Sequence, residues 1–320
     1  MHAYVGVTDG DWFRFLAARG YDEVNFWQPS GGRAFHALEP GEPFLFKTHY
    51  RDPAGSCIVG GGLFFAQVEL SLSEAWKFFG EANGAPSYEE MFVRIQKYRR
   101  APLSPSDDPK IGCLILEGVR YFSPGEYVSP PPDWAPNIVQ GKGYECNLMQ
   151  DYFHPILSRL RAAPTGGIAD FQSISVPSWQ GAGPIYGQPH LVRPRLGQGG
   201  FQAGVLKAYR FHCAVTGDKI RPVLQAAHIR PVSHGGEHRL DNGLLLRSDV
   251  HTLFDRGYLG IDPSSYRLLV SPRLRREFGN GKEFYVRAES RIPIDVPASV
   301  ADRPSREFLN WHADEVFLAS

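Results

Sequence analysis

The chain has few cysteines, and they lie far apart. Cys57, Cys113, Cys146 and Cys213 are the four cysteines of the sequence, and no two of them form a CxxC pair. Structural zinc sites and disulfide frameworks both need cysteines at short, regular spacings. We therefore expect neither a structural zinc nor a disulfide scaffold, and the isolated thiols favour a reduced compartment.

Long apolar runs and an excess of one charge are also missing. No run approaches the length of about 18 apolar residues that a membrane helix needs, so we expect no membrane span. The first residues, MHAYVGVTDGDWF, lack the basic and apolar segments of a signal peptide, which predicts a cytoplasmic protein. The 34 Lys and Arg residues balance 34 Asp and Glu residues, which excludes a polycation that coats nucleic acid.

The composition instead favours a mixed fold with many turns. The 320 residues include 34 glycines and 26 prolines, and 13% of them are aromatic. This length has room for about two domains, and we expect an α+β class. Runs rich in β-branched and aromatic residues predict strands at 2–7, 43–50, 58–70 and 111–122, and helices are predicted at 71–79 and 87–100.

One stretch, Cys213–Gly257, carries the strongest motif. His228 follows an apolar run, a Gly235-Gly236 turn comes next, and then Asn242 and His251, the latter inside a helix predicted to begin at Ser248. This order and spacing resemble the HNH nuclease motif, over roughly residues 200–275. The resemblance implies a C-terminal ββα-metal HNH domain, which we assign to residues 196–320.

The resemblance assigns a role to each polar residue of the motif. Phosphodiester hydrolysis needs a base with a pKa near neutrality, and a histidine meets this need. By the resemblance His228 is that base, His251 binds the metal ion and Asn242 fixes the loop that orients the base. The alternative is that both histidines are ordinary polar residues of a small domain. Two histidines in register with Asn242 and the glycine turn favour the nuclease.

The metal ligands follow the HNH pattern incompletely. Many HNH nucleases carry an acidic or histidine ligand directly before the base, and here that position is Ala227. Either His251 holds the metal with phosphate and water, or one of its neighbours contributes, namely Gln225, Asp249 or Asp255. We expect Mg²⁺ or Mn²⁺, with other divalent transition metals as alternatives.

The same region is locally basic within the neutral chain. From His190 to Val250 there are nine Lys and Arg residues against four acidic ones. Such a patch suits contact with the phosphate backbone, which supplies affinity without sequence choice. Arg230 and Arg247 flank the catalytic elements and are the predicted contacts of the scissile phosphate. Lys207 and Arg210 are predicted to contact phosphate nearby.

The first 130 residues carry a weaker resemblance. Strands with a helix after the first one, together with EVNFWQPSGG and GEPFLFK, are similar to the PUA-like superfamily, which includes the EVE and SRA modules. The resemblance implies a β-barrel that reads a modified cytosine flipped out of DNA. The predicted pocket residues, each of which could instead belong to the core, are Asn25, Phe26, Trp27, Ser30, Lys47 and Tyr50.

Together these features predict a modification-dependent, type IV-like restriction endonuclease. A PUA-like reader at 1–130 would recognise 5-methylcytosine or 5-hydroxymethylcytosine in double-stranded DNA, and residues 131–195 would form a helical, Pro- and Gly-rich linker. Because one HNH site cuts one strand, we expect a homodimer. Three alternatives stay open: a nuclease for phosphorothioate DNA, a nuclease for unmodified DNA, and a modified-base binder without catalysis.

Overall fold

The computed structural model describes residues 1–31, 34–99, 101–104, 106–161 and 197–319. The strands of its N-terminal half are β1 (His2–Thr8), β2 (Val24–Gln28), β3 (Pro43–Thr48), β4 (Ile58–Ser71), β5 (Lys110–Tyr121) and β6 (Gly141–Glu145). The helices of this half are α1 (Gly10–Ala17), α2 (Leu72–Phe79), α3 (Tyr88–Tyr98) and α4 (Gln150–Arg161). The strands and helices predicted from the apolar runs are therefore present, within a few residues at each end.

The six strands form one sheet in the order β2-β5-β4-β3-β1-β6. Only β1 and β3 pair in parallel among these neighbours, and the other pairs are antiparallel. β4 and β5 approach closely at Gly60, where an added Cβ would lie 2.3 Å from the carbonyl oxygen of Arg120. A side chain at this position would push the two strands apart.

The sheet is open, whereas the sequence predicts a closed barrel. Closure would require pairing between the edge strands β2 and β6, and no such pair occurs in the described ranges. Instead, the turn after α2 covers β2. Nε1 of Trp27 donates to the carbonyl oxygen of Asn83 at 3.0 Å, and Nδ2 of Asn25 donates to Oδ1 of Asn83 at 2.8 Å. These contacts pack the turn against one face of β2, which remains an edge strand of the sheet.

Part of the predicted linker belongs to the N-terminal sheet. β6 pairs with β1, with Tyr144 opposite Ala3. Behind them, α4 packs Phe153 and Ile156 against Val5 in one apolar cluster. Residues 141–161 thus extend the N-terminal half beyond the predicted boundary at 130, while residues 162–195 of the predicted linker lie outside the described residues.

The C-terminal half is built on a ββα unit with short elements around it. Its elements are α5 (Gln198–Ala208), β7 (Leu224–His228), β8 (Gly243–Arg247), α6 (Ser248–Asp255), β9 (Leu259–Ile261), β10 (Leu268–Val270), α7 (Pro272–Phe278), α8 (Lys282–Glu289) and α9 (Arg306–Glu315). β7 and β8 are antiparallel, with His228 opposite Gly243. The helix predicted at Ser248 begins at that residue. Cys213 is fully buried in the apolar core of this half, as a small apolar residue would be.

Helix α5 joins the two halves. The carboxylate of Glu23, beside β2, accepts the backbone N–H groups of Gly197 and Gly200 at 2.8 and 3.0 Å. Ala203 of the same helix is packed into the apolar core of the N-terminal half. An ion pair between Arg221 and Glu74, 2.8 Å long, adds a second link. The two halves therefore share a specific, partly buried contact.

Candidate active site

The candidate base, His228, lies at the end of β7 with its ring on Phe201. The two rings stack with centroids 4.0 Å apart and an interplanar angle of 10°. The pKa of His228 is lowered to about 4, chiefly by burial and to a lesser extent by the neighbouring histidines His238 and His251. The imidazole is therefore neutral at pH 7 and has a lone pair that can accept a proton, but this pKa lies below the near-neutral value that the sequence-based prediction expects of the base.

Asn242 fastens the loop that follows the base. Its side chain is fully buried. Oδ1 accepts the backbone N–H of Arg230 at 2.9 Å, and Nδ2 donates to the carbonyl oxygens of Arg230 and Glu237, both at 2.9 Å. One amide thus closes the loop between β7 and β8, because all of its contacts are to main-chain atoms on the two sides of that loop.

His251 is held between two side chains on opposite sides of its ring. Nδ1 lies 2.8 Å from Oε1 of Gln225 on β7. Since a carbonyl oxygen only accepts, Nδ1 carries a proton, and Nε2 is the nitrogen whose lone pair a metal ion would use. Nε2 lies 3.2 Å from Oδ2 of Asp255, one helical turn further along α6. Burial raises the pKa of the Asp255 carboxyl, while His251 opposes that shift.

This nitrogen and this oxygen fit a divalent cation. Metal–ligand distances of about 2.0–2.2 Å put two adjacent ligand atoms roughly 3 Å apart. Nε2 of His251 and Oδ2 of Asp255 are separated by a similar distance, 3.2 Å. Ala227, whose methyl group is buried, offers no ligand. The described residues contain no cluster of three or more His, Cys, Asp and Glu side chains able to hold a metal. Water and a DNA phosphate would have to complete the shell, as is usual for Mg²⁺.

A family comparison agrees with this geometry. Residues 213–262 match the model of the family described as HNH endonuclease. The chain carries an HNH endonuclease domain. This match spans β7, β8 and α6, so the ββα unit and the family match coincide. The enzyme class predicted from the sequence, a nuclease, is confirmed.

Comparisons of the whole chain with known proteins give weaker similarities than the family match does. No curated protein matches it. Among solved structures, a mutant of ZmASCH from Zymomonas mobilis is 9% identical, with a TM-score of 0.33 over 48% of this chain and 96% of that protein. The modification-dependent restriction endonuclease TagI is 12% identical, with a TM-score of 0.26 over 98% of this chain and 81% of that protein. At these TM-scores neither likeness establishes a shared fold.

The four residues of the HNH domain that are predicted to contact phosphate differ in whether their side chains already have partners within the protein. Arg247 forms ion pairs of 2.6 Å with Asp218 and 2.7 Å with Asp249, so its charge is already balanced. Nε of Arg230 donates to the carbonyl oxygen of His234 at 2.7 Å. Two of the predicted contacts have exposed side chains, Lys207 and Arg210. These two residues are better placed to meet a DNA backbone than Arg247 is.

His238, which is not among the catalytic residues predicted from the motif, has a side chain that reaches the base. Its Nδ1 lies 3.0 Å from Nε2 of His228. One available signal was the glycine turn before it. An added Cβ on Gly236 would lie 1.8 Å from the carbonyl oxygen of Arg230, so only glycine allows the chain to fold back toward β7.

A large cleft lies in the N-terminal half. It has a volume of about 1660 Å³ and a wall of aromatic rings, including those of Trp12, Phe26 and Trp27. Five of the predicted pocket residues line it, namely Phe26, Trp27, Ser30, Lys47 and Tyr50. Volumes of about 300–1,000 Å³ are usual for small-molecule sites, so this cleft is larger than a typical site of that kind.

Asn25, the remaining predicted pocket residue, is a core residue. It is fully buried, and its Nδ2 bonds Oδ1 of Asn83 at 2.8 Å and Sγ of Cys113 at 3.3 Å. In a strand, neighbouring side chains point to opposite faces. Trp27 and Asn25 therefore share the face toward Asn83, while Phe26 points to the other side. The prediction that Asn25 reaches a base edge does not agree with this burial.

The proline-rich segment also lines the cleft, which its composition did not indicate. Pro130, Trp134 and Pro136 contribute to the wall. The ring of Trp134 lies over Lys47, with Nζ 4.9 Å from its centroid, and Nζ also donates to the carbonyl oxygen of Thr48 at 2.9 Å. Burial lowers the pKa of Lys47. The segment first interpreted as a linker thus supplies an aromatic ring to the cleft.

None of the helices in the described ranges is both long and apolar enough to cross a membrane.

Proposed function

We propose that the protein is a modification-dependent DNA endonuclease in which the N-terminal half reads a modified base and the HNH domain cuts nearby. The observation that carries the proposal is the coexistence of two sites in one chain. One is a neutral histidine base near a possible metal-binding pair. The other is a large cleft lined by aromatic rings, in the half joined to the HNH domain by α5.

In this mechanism the water nucleophile is activated by His228. Its neutral imidazole takes the proton as the water oxygen attacks phosphorus, and the phosphorus–oxygen bond to the leaving sugar oxygen breaks as that oxygen takes a proton from solvent. His251 and Asp255 would hold one Mg²⁺ or Mn²⁺ ion, which when bound supplies positive charge to the phosphate oxygens. Gln225 keeps the proton of His251 on Nδ1, so that Nε2 faces the ion. Asn242 keeps the loop after His228 closed, which limits tilting of the base.

The proposed reader is a PUA-like module with an open sheet. A base flipped out of double-stranded DNA would stack on an aromatic ring of the cleft, such as Trp27 or Trp134, with 5-methylcytosine or 5-hydroxymethylcytosine as the expected targets. We propose that the chain acts as a homodimer in the cytoplasm, since one HNH site cuts one strand. Gel filtration that gives only a monomer, with nicking as the sole activity, would contradict the dimer.

The decisive experiment compares matched plasmids with the wild-type protein and the His228→Ala variant. The plasmids are unmodified or carry 5-methylcytosine, 5-hydroxymethylcytosine, glucosylated cytosine or phosphorothioate linkages, each with Mg²⁺ and with Mn²⁺. We expect cleavage of the methylated or hydroxymethylated DNA by the wild type only. Equal cleavage of all plasmids would exclude a reader. Binding without cleavage, unchanged by His228→Ala, would indicate a binder, which the missing ligand at Ala227 would explain.

A further inference from the structure

The candidate base makes a single side-chain hydrogen bond within the described part of the chain. Its partner is His238, whose Nδ1 lies 3.0 Å from Nε2 of His228. The two rings meet edge to face, with centroids 5.0 Å apart at 60°. Since Phe201 covers one face of the base, the ring of His228 is fixed by a stack on its face and by a hydrogen bond at its edge.

The loop that carries His238 is itself fixed. Asn242 donates to the carbonyl oxygen of Glu237, the residue directly before His238. Gly236 lies so close to the main chain of Arg230 that no side chain fits there. The position of His238 therefore follows from a closed turn, and its side chain is only partly exposed. This rigidity is what a residue needs if it is to orient another one.

We infer that His238 is a positioning residue that sets the tautomer of the base, so that Nδ1 of His228 accepts the proton from water. The inference rests on the proposed function, in which His228 is that base. A hydrogen bond between two neutral imidazoles has two arrangements. In one, Nε2–H of His228 donates to Nδ1 of His238, and Nδ1 of His228 keeps a free lone pair.

The opposite arrangement gives an inactive base. If Nδ1–H of His238 donated to Nε2 of His228, the proton of His228 would lie on Nδ1 and its lone pair would be used in the bond. Neither nitrogen could then accept a proton from water. Burial also lowers the pKa of His238, which keeps it neutral and able to accept. Catalysis therefore requires His238 as acceptor and His228 as donor.

The test uses the full chain and three substitutions. His238→Phe keeps a ring but removes the acceptor. His238→Asn keeps a polar atom near the position of Nδ1. His234→Phe is the matched control, because it makes the same change at an exposed histidine of the same loop. Single-turnover cleavage, DNA affinity and Mn²⁺ affinity are measured for each, after circular dichroism has shown that each variant is folded.

We expect His238→Phe to slow single-turnover cleavage by about 10- to 100-fold, as is typical when an orienting partner is lost. DNA and Mn²⁺ affinities should stay at wild-type values, His238→Asn should recover most of the rate, and His234→Phe should leave it unchanged. A loss of Mn²⁺ affinity in His238→Phe would overturn the inference, since it would make His238 a metal ligand.

A spectroscopic readout separates this role from simple packing. In ¹⁵N-histidine-labelled protein, the ring signals of His228, assigned by their loss in His228→Ala, should show the Nε2–H tautomer. In His238→Phe they should show a mixture of tautomers. A wild-type Nδ1–H tautomer would overturn the inference. If His228→Ala still cleaves DNA, the assignment of His228 as the base fails. If His228→Ala is inactive but His238→Phe cleaves at the wild-type rate, the positioning role of His238 alone fails.

Discussion

The amide oxygen of Gln225 lies 2.8 Å from Nδ1 of His251, so the strand that ends in the proposed base also orients the proposed metal ligand. We predict that Gln225→Ala weakens Mn²⁺ binding by about 10- to 100-fold, because the imidazole loses the partner that fixes its tautomer. Gln225→Glu should retain binding, since a carboxylate also accepts from Nδ1. Titration calorimetry with Mn²⁺ measures both.

An unchanged Mn²⁺ affinity in Gln225→Ala would show that α6 holds the ring of His251 in place without Gln225. Thr252→Ala is a suitable control on the neighbouring position of α6. The hydroxyl of Thr252 donates only to the carbonyl oxygen of Ser248 within the same helix. Its loss should leave the affinity for Mn²⁺ as it is in the wild type.

Asp255 tests the second proposed ligand. We predict that Asp255→Asn abolishes Mn²⁺ binding at micromolar concentrations and stops cleavage, because His251 would then be the single protein ligand of the ion. Asp314→Asn, which removes an exposed carboxylate from α9, is the control and should bind Mn²⁺ normally. Wild-type Mn²⁺ affinity in Asp255→Asn would exclude this carboxylate from the metal shell.

Treatment with EDTA should stop cleavage by the wild type and Mn²⁺ should restore it.

The HNH domain could be predicted in detail because its information is local. β7, β8 and α6 follow one another in the sequence, and the helix begins at the predicted Ser248. The polar residues of the motif are fixed by contacts within this short stretch, as the bonds from Asn242 to both sides of the loop show. A local pattern of this kind does not depend on how distant segments meet.

Other features depend on long-range packing and could not be predicted. Asn25 is buried because Asn83, which is far away in the sequence, turns back over β2. Trp134 joins the cleft because the chain after it returns as β6 beside β1. His238 contacts the base only once the glycine turn has closed, and the residue type alone does not show that closure.

Trp134 offers a clean test of the cleft. Trp27 is a poorer choice, since its Nε1 bonds the carbonyl oxygen of Asn83 and truncation would disturb β2. Stacking of a base on an aromatic ring contributes about 1–3 kcal/mol. We therefore predict that Trp134→Ala reduces the preference for modified over unmodified DNA by about 10- to 100-fold. Competition cleavage of the two plasmids measures this ratio.

The control for the cleft is Phe278→Ala, which removes an exposed ring (62% accessible) from α7. The ratio of modified to unmodified cleavage should stay at its wild-type value in this variant. Residual, unselective cleavage by Trp134→Ala is also expected, because the HNH domain is intact. An unchanged preference in Trp134→Ala would mean that this part of the cleft does not contact the base.

Glu117, on β5, predicts how stability depends on pH. Its carboxyl is buried, and Oε1 has no hydrogen-bond partner among the described residues. Burial, together with the nearby acids Glu23 and Asp22, raises the pKa of Glu117 to about 8. Between about pH 4.5 and 8 the folded state therefore holds a proton that the unfolded state has released. The free energy of unfolding must fall as pH rises through this interval.

Replacing Glu117 with glutamine should remove this dependence, since the amide stays neutral. We predict that Glu117→Gln is more stable than the wild type at pH 8, by about 1 kcal/mol or more, and that the difference shrinks toward pH 5. Urea unfolding at both pH values measures it. Glu145→Gln, at an exposed position on β6, should track the wild type. A constant difference between Glu117→Gln and the wild type at both pH values would show that Glu117 has an ordinary pKa in the folded protein.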